Sequence, residues 1–139
     1  VEVVIKNLPA RTYFGETLKK QQFTALAQLA WSSNPESPPT STLATSGIPT
    51  AANNFAGANY PHFSHPGMDK LIDETQRELD PAKRKPLWFE MQKIYTDELP
   101  VLPLFFRTDV YVVPKWLTGI LRPGQLPSNY YGVETWGVR

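Results

Sequence analysis

The feature that most constrains this chain is the step Asp80–Pro81, set between two stretches of helical periodicity. An Asp offers its side chain to the free N–H groups at a helix start, and a Pro in the first helical position loses no bond there. One helix therefore ends before residue 80 and another begins at 81. Upstream, "GMDKLIDETQREL" places Met68, Leu71, Ile72, Thr75 and Leu79 on one helical face. Downstream, "AKRKPLWFEMQKIYTDEL" sets Leu87, Met91, Ile94 and Tyr95 at i, i+4, i+7 and i+8, an amphipathic stripe that Pro100 ends. Pro86 falls inside this pattern, removes one backbone bond and is expected to kink the first turns.

Proline punctuates the rest of the chain too, with 14 spread over 139 residues. "VEVVIKNL" (Val1–Leu8) is β-branched, short and stopped by Pro9, which reads as a buried strand. "RTYFGETLKK" reads as a short helix interrupted near Gly15. "FTALAQLAW" (Phe23–Trp31) fits a helix or a strand by periodicity; its length and its place after a strand and a helix favour a strand. The two strands would then form a βαβ unit with parallel pairing.

From Ser32 to Gly67 the chain is rich in Pro, Ser, Thr, Asn and Gly, too long for a structureless loop unless it is functional or holds short elements. "PPTSTLATSG" can hold one helical turn, with Pro opening it and Gly47 closing it. "VLPLFFRTDVYVV" reads as a strand with an edge or bulge at Pro103, and "YYGVETW" as a last strand. The alternation of helices and strands indicates an α/β lobe.

Composition excludes several functions. Fourteen Lys+Arg stand against 13 Asp+Glu, so the basic stripe that nucleic acid requires is missing. No apolar run reaches the length of a membrane-spanning helix. With no Cys, disulfides, thiolate metal sites and a Cys nucleophile are ruled out. Val1 opens directly into strand-like sequence with neither a charged n-region nor an apolar h-region, so no signal peptide is expected there.

No catalytic constellation stands out: there is no Gly-rich phosphate loop, G-x-S-x-G or H-E-x-x-H. His62 and His65 lie two residues apart, but a metal there would need a fuller shell, and Asp69 is the only nearby carboxylate. Two loop histidines is the simpler reading. Asp73 and Arg77 make an i,i+4 surface pair. Trp31 is different, because it closes an expected strand where a polar loop begins. In open α/β sheets ligands sit at the carboxyl ends of strands. Trp31 is thus either a flat apolar wall for a ligand, with Asn34 and Glu36 as polar contacts, or a plug at the strand end.

The stretch "NYPHFSHPGMDKLIDETQRELDPAKRKPLWFEMQKIYTDELPVLPLF" (Asn59–Phe105) resembles the C-terminal signature of ABC-transporter solute-binding proteins of the oligopeptide/dipeptide/nickel class, family 5. The residues that carry it are Asn59, Phe63, Pro66, Asp69, Leu71, Ile72, Asp80, Arg84, Trp88, Glu90, Gln92, Pro100, Pro103 and Leu104. The segment from Val1 through the Trp31 loop fits the family's preceding stretch, so the resemblance spans nearly the whole chain.

The resemblance implies an α/β fold: the C-terminal lobe of a type II periplasmic-binding-protein-like fold, a mixed sheet flanked by helices. Residues 1–139 would be a single lobe, part of the C-terminal domain of a larger two-lobed protein. It implies a binding role and no enzymatic one, with no cofactor. The ligand is a peptide or similar polar solute, captured outside the cytoplasmic membrane in a periplasmic or extracytoplasmic setting and passed to ABC permease subunits. In peptide-binding members a Gly-Trp ends the strand, and an Asp three residues on holds the peptide's α-ammonium. Here Ala30 precedes Trp31 and Asn34 takes the place of the Asp. Either Glu36 supplies the anion, or the ligand is not a peptide with a free N-terminus. A nickel or metal-complex binder with His62 or His65 as ligand is the alternative, and a pure interaction lobe without ligand is another. On its own the lobe is expected to expose apolar surface and self-associate.

Overall fold

The computed structural model describes residues 2–31, 37–106, 110, 112–120 and 132–139. The chain divides into two compact units, residues 1–28 with 38–102 and residues 29–37 with 103–139.

In the first unit, helix α1 (Ala10–Thr12) passes straight into a π-helical turn, Tyr13–Thr17. Gly15 stands at the centre of that turn, the interruption its helix-weakening character foretells. Leu18 is fully buried just beyond, and an i,i+4 ion pair joins Lys20 to Glu16 on the outside. After Pro39 comes one short helix, α2 (Thr40–Leu43), then a 3₁₀ turn, Thr45–Gly47, as the Pro and Gly positions require. A second 3₁₀ turn, Ala51–Asn53, is closed by a reciprocal capping box between Thr50 and Asn53.

Helix α3 (Pro66–Arg77) and helix α4 (Pro81–Glu98) form an adjacent pair. Pro66 and Pro81 each occupy the first helical turn. The Asp80 carboxylate accepts from Ala82 N–H at 2.9 Å, so the expected cap is in place. Pro86 is accommodated within a helix assigned without a break. Having no N–H, it leaves the carbonyl of Ala82, an exposed residue, without its usual helical donor. Leu99 ends α4 in the left-handed region, φ 44°, and Pro100 follows.

The core of this unit comprises Ala44, Met68, Ile72 and Met91, with Leu43, Phe63, Leu71, Trp88, Ile94 and Tyr95 packed around it. Each inward residue of α3 and α4 sits on the face its spacing predicts. Leu79 does not; it lies past the end of α3 and is exposed.

The second unit contains a two-stranded antiparallel ladder, β1 (Leu117–Thr118) and β2 (Gly137–Val138), with Leu117 opposite Val138 and Thr118 opposite Gly137. A 3₁₀ turn, Val133–Thr135, precedes β2, and the Thr135 hydroxyl donates to the Gly119 carbonyl at 2.5 Å. The last strand thus starts beyond the "YYGVETW" stretch, of which Tyr130 and Tyr131 lie outside the described residues.

No ladder forms over residues 2–8, 23–31 or 101–106, where strands and a βαβ unit were expected. Val3, Val4, Ile5, Leu26, Leu102, Leu104, Phe105 and Phe106 are all exposed. The physical reason is pairing. A strand closes its hydrogen bonds only on a neighbouring strand, and among the described residues none is paired with these segments.

Candidate functional site

Two places merit description: the Trp31 loop and the segment that docks on α3. Trp31 belongs to the second unit and keeps 51% of its surface exposed. Asn34 and Glu36 lie outside the described residues.

The segment between α2 and α3 holds a dense polar network. Asn59 is fully buried, yet its side chain is satisfied on both sides. Its Nδ2 donates to the carbonyls of Ala44 (2.9 Å) and Phe63 (2.7 Å), and its Oδ1 accepts from Phe63 N–H (2.9 Å). A buried amide that makes these bonds costs little, whereas one that lost them would be expensive to keep. Asp69, in the first turn of α3, reaches back to the turn after α2. It accepts from Thr45 N–H at 2.8 Å and from the Thr45 hydroxyl at 2.6 Å, and Ser64 adds a hydroxyl contact to Thr45 at 2.9 Å. Gln76 on α3 donates to the Thr40 hydroxyl at 2.6 Å.

His65 caps α3: its Nδ1 accepts from Met68 N–H at 3.1 Å, and its ring stacks on Phe63. An Nδ1 that accepts this bond leaves the ring proton on Nε2. His62 is exposed, with φ 55°. Among the described residues no group of three or more His, Cys, Asp or Glu side chains could hold a metal ion. Tyr60 and Tyr95 have their phenol pKa pushed up from 10.0 by burial, and Tyr95 also donates to the Val101 carbonyl at 3.1 Å.

An open groove of about 420 Å³ runs between the end of α3 and the start of α4, lined by Glu74, Arg77, Glu78, Lys83 and Leu87. Several of its charges are engaged locally. Arg77 bonds Asp73 at 2.8 Å, Glu74 lies 3.7 Å from Lys70, and Glu78 accepts from Asp80 N–H. The expected Asp73–Arg77 surface pair is therefore formed.

The residues of the signature are thus mainly scaffold. Asn59 and Asp69 tie the preceding segment down, Pro66 and Asp80 start helices, and Leu71, Ile72 and Trp88 fill or flank the core. Reading the sequence missed Thr45 as the partner of Asp69, since no local pattern links residues 24 apart.

Comparison with known proteins returns one partial likeness. The chain is 37% identical over 68 residues to the oligopeptide-binding protein OppA of Bacillus subtilis (strain 168). The match takes in 49% of this chain and 12% of that protein, a shorter span than the near-complete resemblance read from the motifs. No family model and no solved structure matches.

Proposed function

We propose that this chain is part of the C-terminal lobe, of type II periplasmic-binding-protein-like fold, of the solute-binding component of an ABC importer. It captures a peptide or similar polar solute outside the cytoplasmic membrane and hands it to the membrane permease. The observation that carries this reading is the 37% identity to an oligopeptide-binding protein, joined to the ordered signature from Asn59 to Phe105. The role is binding, with closure of two lobes over the solute. Among the described residues no helix is long and apolar enough to cross a membrane.

In this reading Trp31 presents its exposed face to the solute, and Asn34 and Glu36 supply polar contacts beside it. An Asn in place of a carboxylate weakens the hold on a peptide's ammonium, because a charge-assisted bond is roughly twice as strong as a neutral one. Against the nickel alternative, His65 already uses Nδ1 to cap α3.

Calorimetry on the full-length protein tests the proposal with short peptides and with Ni²⁺. Peptide binding is expected, weakened at least about tenfold by Trp31→Ala, as loss of an aromatic contact implies. Asn34→Asp is expected to tighten it by roughly fivefold to tenfold. Heat from Ni²⁺ alone, abolished by His65→Ala, would replace this reading with the metal one. Trp31→Ala leaving every affinity unchanged would remove Trp31 from the site.

A further inference from the structure

We infer that residues 48–62 form a strap that opens locally while α3 and α4 stay folded, and that Asn59 is the group that closes it. The inference stands whether or not the chain binds a peptide.

The strap is held by different forces from the helices it adjoins. Leu43 and Ala44 enter the apolar core before it and Phe63 enters after it, but no residue from 48 to 62 belongs to that core. Within it only Pro49 and Asn59 are buried. Its attachment is polar and electrostatic: Ala58 N–H donates to the Ser41 carbonyl and Asn59 N–H to the Gly47 carbonyl, both at 3.0 Å, and the Lys20 ammonium lies 5.7 Å from the centre of the Phe55 ring. Gln21 adds a bond to the Tyr60 carbonyl at 3.1 Å. Segments with few buried apolar contacts open at lower free energy than the core they border.

The closed strap is also strained. Asn54, Phe55 and His62 adopt φ of 55°, 56° and 55°, a region where a bulky residue such as Phe is an outlier. Such conformations persist only where surrounding contacts hold them. Gly57, at φ 95°, approaches so closely that a Cβ there would lie 2.1 Å from the Gly47 oxygen. Closure is therefore a specific fit that opening would relieve.

Asn59 lies within the strap and joins both of its ends, bonding Ala44 before it and Phe63 after it; outside the strap, the Thr45 hydroxyl also meets that of Ser64. Asn59→Asp keeps its shape but turns the two-bond donor into an oxygen facing two carbonyls. The strap should then lose its closure while Met68, Ile72 and Met91 keep their packing.

Amide hydrogen exchange on the full-length protein decides the matter. In the wild type, the amides of Ala58 and Asn59 are expected to exchange at least tenfold faster than those of Ile72 and Met91. In Asn59→Asp, exchange at Ala58 should rise a further tenfold or more, with Ile72 and Met91 changed less than twofold. Equal protection of strap and helices in the wild type would overturn the inference. So would a variant in which both accelerate together. The wild-type comparison needs no substitution, so it remains decisive even if Asn59→Asp does not fold.

Discussion

Residues 66–98 carry a smaller share of apolar side chains than residues 2–8, yet the two stretches end differently. The first stretch folds into α3 and α4 around Met68, Ile72 and Met91. The second leaves Val3, Val4 and Ile5 exposed. The difference lies in where backbone bonds come from. A helix closes them four residues away, and then needs only one neighbour to cover its apolar stripe. A strand obtains both bonds and cover from chain that is distant in sequence. A local pattern is therefore enough to specify the helices, but it only prepares the strands.

The largest expected effect contrasts the two stretches directly. Met68→Ala, at a fully buried position, should cost about 2–5 kcal/mol. Val4→Ala, at a position 85% exposed, should stay within about 0.5 kcal/mol. Urea denaturation of the 139-residue chain measures both, and equal losses would erase the contrast.

Asp69→Ala refines the picture, because it removes the acceptor of two Thr45 bonds without touching the apolar core. A loss of about 1–3 kcal/mol is expected, with Asp69→Asn intermediate, since it retains one acceptor. A neutral result would mean that the Asp69–Thr45 bonds do not hold the segment before α3.

The smallest effect concerns alkaline pH. Burial raises the pKa of Tyr60 and Tyr95 in the folded chain, so the unfolded chain ionises first. Stability should be fully present below pH 10 and fall as pH rises through the folded values. The urea midpoint should drop as pH rises above 10, and Tyr95→Phe should reduce that drop.

Much of the scaffold was legible because its signals are local. Asp80–Pro81 marked the start of α4, and Pro39 with Gly47 bracketed the turns around α2. Gly15 marked the break after α1. The strands were less so: residues 23–31 and 101–106 have the composition of strands, but composition names no partner. The network at Asn59 was legible only as a motif position. Its meaning depends on Ala44, which lies 15 residues back, and sequence spacing carries no sign of that. For the Trp31 loop, the pattern identified the residue, and the structure adds its exposure.

The bonding of Asn59 has a consequence for how such a chain changes over generations. A serine there would be too short, a glutamine too long, and an aspartate would face two carbonyls with the wrong polarity. Selection for folding alone is enough to fix the residue. Likeness at such a position therefore reports a shared scaffold and does not by itself say what is bound.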